Sequence, residues 1–155
     1  MRSILFIILV LISSQAKGSD MIDMNIISEI ESSNNPDAYN RISGAVGLYQ
    51  ITSICLQDYN EYHKKQYKLE EMYDPKKNFK VASWYFNVRI PQMLAHFKIE
   101  DKLETRILSY NAGILYAKKG IYPTESSNYI VKYKRLYLEK NGEKPYRDYG
   151  QRVKS

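Results

Sequence analysis

A chain of 155 residues, 44% hydrophobic and 26% charged, is long enough for one hydrophobic core and too apolar to be disordered. Its single cysteine, Cys55, excludes an internal disulfide, so the core alone must hold the fold. The formal charge of +6 suits an anionic partner. No nucleic-acid motif, metal cluster, phosphate loop or nucleotide fingerprint accompanies it, so neither a nucleic-acid partner nor a cofactor is expected.

Residues 1–18 differ in kind from the rest. Arg2 precedes an unbroken apolar run from Ile4 to Ile12, and small and polar residues follow as far as Gly18. The run falls short of the roughly 20 apolar residues that a spanning helix needs. It reads as a secretory signal peptide cut after Ala16 or Gly18, with an uncleaved anchor as the alternative. Export to the periplasm or the extracellular space is therefore expected, with a mature domain over 19–142 and a basic tail over 143–155. From Lys132 to Ser155 the chain carries eight basic residues against three acidic ones.

The mature chain reads as helices in series. Ile22, Ile26, Ile27 and Ile30 recur at helical spacing over 20–33, with Asp20 or Asp23 as cap. Asn34-Asn35-Pro36-Asp37 closes that segment, and a loop with Gly44 and Gly47 follows. The spacing of Leu48, Ile51, Cys55 and Tyr59 predicts a second helix over 48–63, with Cys55 as a small buried hydrophobe. Residues 64–73 form a polar connection. Asp74-Pro75 opens a third helix, with Val81, Trp84, Tyr85 and Val88 inward, which Pro91 should end or kink. A fourth starts at Asp101 and weakens at Asn111-Ala112-Gly113; a last one runs from about Asn128 to Lys140 and stops at Asn141-Gly142. No strand shows convincing alternation, so the fold class is mainly α.

Two glutamates in the first helix are candidate acids. Glu29 and Glu31 fall on opposite flanks of its apolar face, and periodicity cannot choose between them.

A family resemblance carried by the wider motifs does choose. Glu31-Ser32 followed by Pro36 and Ala38, then Gly44-Ala45-x-Gly47-Leu48-x-Gln50-Ile51, resembles the first two motifs of the soluble-type lytic transglycosylases. Goose-type lysozymes share that fold. Asp74-Pro75-x-x-Asn78 with Ala82 and Tyr85, Ser109-Tyr110-Asn111-Ala112-Gly113, and Glu125-Ser126-Ser127-Asn128-Tyr129-Ile130 resemble the later motifs in family order. The resemblance covers roughly residues 25 to 137. It departs at Tyr49, where the family usually has Met, and at Ser126 and Ser127, which replace Thr and Arg.

The resemblance implies a lysozyme-like single-domain helical fold with a substrate cleft. It also implies a monomer acting on peptidoglycan glycan strands, with Glu31 as the single catalytic acid. Ser32, Tyr49, Gln50, Tyr110, Asn111 and Tyr129 match substrate-cleft positions. Tyr49 would add a phenol to a subsite, and Tyr129 is equally readable as packing with Tyr133 and Tyr137. Small exported enzymes of this kind resemble those that open the wall for secretion or conjugation machines, which makes such a machine a candidate partner. A second carboxylate is not evident near Glu31, since Asp37 lies in a turn and Glu29 on the other flank. Alternatives are a lysozyme-type hydrolase of the same bond and a non-catalytic peptidoglycan-binding module.

Overall fold

The structure, a computed structural model, describes residues 22–143. The expected signal peptide and the tail beyond Glu143 lie outside the described residues. Helix α1 spans Met24–Ser32 and starts where the Asp23 carboxylate accepts the Asn25 N–H at 3.0 Å. Ser33 and Asn34 turn left-handed and stop it. Ile26 and Ile27 point into the core, as their spacing predicts.

Helix α2 spans Ser53–His63 and begins later than its apolar spacing suggests. The intervening residues are held by two isolated bridges, Tyr39 with Val46 and Val46 with Ile51. Gly47 and Gln50 both adopt positive φ, 77° and 49°, which no helix accommodates. Thr52 then caps α2 through its hydroxyl, which accepts the Cys55 N–H. Cys55 is buried, as expected, and burial pushes its thiol up beyond any working range.

Beyond α2 the polar connection contains a 3₁₀ turn, Leu69–Tyr73. Helix α3, Pro75–Trp84, begins at the Asp-Pro signal, with Asp74 accepting the Lys76 and Lys77 N–H groups at 2.9 Å. A π-helical turn, Tyr85–Arg89, carries the chain directly into α4, Ile90–His96. Pro91 therefore does not end the helical course, and the α-helical bonding gives way to the π turn just before it. It sits in the first turn of α4, where a missing N–H is tolerated.

Helix α5 spans Leu103–Asn111. Its cap is Lys102 rather than Asp101, whose carboxylate instead takes both the Nε and a terminal nitrogen of Arg106. A short α6, Ile114–Lys119, was not anticipated; it lies between two glycines of positive φ, Gly113 and Gly120. Helix α7 spans Thr124–Lys140 and starts a turn before Asn128, because the Pro123 carbonyl already accepts the Ser127 N–H at 2.9 Å.

The core runs through all of these helices. Ile27, Ile51, Met72, Val81, Phe86, Ile90, Leu94, Ile107 and Leu108 are completely buried, each contributing roughly 1.5–3 kcal/mol by leaving water. Helices α1 and α7 lie side by side and are tied at one end. There the Asp23 N–H donates to the Tyr133 hydroxyl at 2.7 Å, and the Lys140 ammonium reaches the Asp23 carboxylate. No strand occurs among the described residues, and the domain is mainly α, as expected.

Candidate active site

A cavity of about 480 Å³ opens between the end of α1, the loop over 38–52, the end of α5 and the first turns of α7. The loop wall is fixed from behind. Asn78, fully buried on α3, donates to the carbonyls of Val46 (2.8 Å) and Met72 (2.7 Å) and accepts the Tyr49 N–H (3.0 Å). Both ends of its amide are thus used to hold backbone. Gly47 is required in this clamp: a Cβ there would collide with the Asn78 side chain and the Met72 carbonyl. Two further bonds tie the loop to its neighbours. The Ser32 hydroxyl donates to the Leu48 carbonyl at 2.9 Å, and the Tyr110 hydroxyl donates to the Tyr49 carbonyl.

Glu31 stands on the facing wall, in the last turn of α1. Burial raises its carboxyl from 4.5 to about 7, the Tyr129 hydroxyl partly offsets this by favouring the charged form, and repulsion from Glu125 adds to the rise. The Tyr129 hydroxyl is close enough for that effect yet makes no hydrogen bond of full geometry. Burial and the neighbouring Glu31 charge in turn push the Tyr129 and Tyr110 phenols far up, so both remain protonated donors. Tyr110 is held flat by stacking on Phe86, ring centroids 4.1 Å apart. Asn111 is oriented by the buried Ser126 hydroxyl, which donates to its side-chain oxygen at 2.5 Å.

Five of the seven residues singled out from the sequence, Glu31, Gln50, Tyr110, Asn111 and Tyr129, line this cavity together. Ser32 and Tyr49 do not. Ser32 spends its hydroxyl on the Ser28 and Leu48 carbonyls and so positions the loop. Tyr49 is 4% exposed, packs against Phe79 and turns its phenol toward Ser28 of α1. Its backbone carbonyl accepts the Tyr110 hydroxyl.

With the acid, the clamped loop and the Tyr110-Asn111 pair around one cavity, the comparison with known families is decisive. The transglycosylase SLT domain model matches residues 10–130. The chain belongs to the transglycosylase SLT domain family. Membership carries a peptidoglycan-acting function of the lytic transglycosylase type and accounts for the lysozyme-like helical fold. No curated protein and no solved structure matches the chain.

The SLT site also contains residues not singled out from the sequence. Glu125, Asn128 and Lys132 line the cavity with Tyr129. They recur at three- and four-residue spacing on α7 and so share one face. Once Tyr129 was placed in the cleft, that spacing would have predicted all three. Glu125 opens the last of the family motifs, and α7 starts before it, at Thr124, which puts it on the same helical face.

Proposed function

We propose that this chain is a peptidoglycan lytic transglycosylase that cuts the β-1,4 bond between N-acetylmuramic acid and N-acetylglucosamine, with Glu31 as lone acid and base. The observation that carries the reading is a half-buried carboxyl raised to about 7, facing a cavity of sugar-binding size. Near neutral pH such a group is present in both protonation states, as an acid that later serves as a base must be.

In the first step Glu31 gives its proton to the glycosidic oxygen and the bond from that oxygen to the muramoyl C1 breaks. The acetamido oxygen of the same sugar bonds to C1 and bears the positive charge, as in other substrate-assisted glycosidases. In the second step the Glu31 carboxylate takes the proton of the C6 hydroxyl. O6 then attacks C1 and the acetamido oxygen leaves. The product is a 1,6-anhydromuramoyl end, Glu31 is again protonated, and no water is consumed. Gln50, Tyr110, Asn111 and Tyr129 supply neutral hydrogen-bonding groups along the cavity for the sugar hydroxyls and acetamido groups. The substrate lies outside the cytoplasm, in keeping with the exported location read from residues 1–18, and no helix of the described residues is long and apolar enough to cross a membrane.

One observation favours a second reading. Glu125 shares the cavity with Glu31 and adds to its raised pKa. A second carboxylate that activates water would make the enzyme a hydrolase of the same bond. Mass analysis of digested sacculi separates the two: an anhydromuramoyl product supports the transglycosylase, and a product one water heavier establishes the hydrolase.

A further inference from the structure

Helix α7 carries four cations, Lys132, Lys134, Arg135 and Lys140. Three have carboxylate partners: Lys134 pairs with Glu104, Arg135 with Glu139 and Lys140 with Asp23. Lys132 has none among the described residues, and it is the one that lines the cavity. The two carboxyls that share the cavity, Glu31 and Glu125, both lie outside ion-pair distance of its ammonium. Glu125 sits two turns away along the same face of α7, with Asn128 and Tyr129 between, so this wall is acidic at one end and cationic at the other.

A solvated ammonium in a substrate cleft, with no carboxylate partner among the described residues, is available to a substrate anion. The glycan strand is built of neutral sugars, and its acidic groups are carboxylates attached on the muramic acid side. A strand stripped of peptide offers the lactyl carboxylate itself. An intact strand has that group in an amide and offers the carboxylates of the stem peptide.

The geometry points to Lys132 as the residue that selects a carboxylate-bearing muramoyl unit, and so sets which sugar lies across Glu31. This rests on the peptidoglycan reading above. Lys132 acts in binding and touches no reacting atom, so its loss should raise KM and leave kcat in place.

The test uses the full chain and three tetrasaccharides: one with free lactyl carboxylates, one with stem peptides, and one with its lactyl groups converted to neutral methylamides. Lys132→Gln should raise KM about tenfold on an acidic ligand, the loss expected for one charge-assisted contact. It should leave the neutral ligand unchanged. Lys132→Arg should retain most of the affinity, and the wild-type preference for the acidic ligand should fade as salt is raised. Whichever acidic tetrasaccharide responds identifies the source of the carboxylate. Equal losses on all three ligands, a fall in kcat instead of a rise in KM, or no change on any overturns the assignment while leaving the enzyme reading intact. A wild-type chain that cleaves none of them and no sacculi overturns both.

Discussion

Glu29 and Glu31 lie two residues apart on α1, and both look across at α7, yet their surroundings are opposite. Glu29 is exposed, in an open groove with Asn25, Asn34, Leu136, Glu139 and Lys140. Glu31 is half-buried beside Tyr129, with a clamped loop in front of it. The helix gives each the same backbone and similar apolar neighbours. What separates them is the second wall, which only Glu31 has. A carboxyl becomes an acid of neutral pH when its surroundings remove water, and Glu31 is desolvated beside the Tyr129 phenol in the wall of the cavity.

The largest way to break this comparison is to exchange the acids for amides. Glu31→Gln should lower the release of soluble fragments from sacculi by more than about a thousandfold, because the acid and the base are lost together. Glu29→Gln should stay within about twofold of wild type. A matching loss in the Glu29 variant would move the chemistry to the other flank.

Removing the wall should come next. Asn78→Ala leaves the Met72 carbonyl and the Tyr49 N–H without partners and takes one of two donors from the Val46 carbonyl, which keeps the Ile51 N–H, a cost of about 3 kcal/mol in denaturant-measured stability. Activity should fall with it at temperatures where the variant is still folded, because the loop that lines the cavity then loses its anchor.

The stability of the amide variants against pH sharpens the comparison further. Between pH 4.5 and about 7 the folded chain keeps a proton on Glu31 that the unfolded chain has already released. Stability therefore falls as pH rises through that window, and the loss is complete above it. Glu31→Gln should be more stable than wild type by about 2–3 kcal/mol near pH 8, with the difference gone below pH 4.5. Urea unfolding at several pH values reads this directly.

The smallest effect concerns Glu125. Its charge raises Glu31, so Glu125→Gln should shift the alkaline fall of kcat/KM downward, by about half a pH unit. A near-complete loss of activity instead would favour the hydrolytic reading.

Much of this was legible in the residues. The isoleucine spacing located α1, Asp74-Pro75 located α3, and the order of the motifs brought Glu31, Gln50, Tyr110, Asn111 and Tyr129 to one cavity. What was not legible depended on backbone that apolar spacing cannot report. Leu48 and Ile51 fit a helix with Cys55 and Tyr59, but the left-handed Gly47 and Gln50 forbid it. Pro91 reads as an end or a kink, and the helical course passes it through a π-helical turn just before it. Tyr49 sits among site residues in sequence, while its side chain is buried in the core, because it lies in the turn that the Gln50 N–H closes on the Gly47 carbonyl.

The loop wall has a consequence for how such a cleft can diversify. Asn40, Ser43, Gln50 and Thr52 line the cavity, and each also holds backbone: Asn40 accepts the Ile42 and Ser43 N–H groups, the Ser43 hydroxyl accepts the Ala45 N–H, Gln50 donates to the Gly47 carbonyl and Thr52 caps α2. On this wall holding and touching fall to the same residues. A change of lining here therefore disturbs the loop it stands on, which makes this wall costly to rewrite for a different wall polymer.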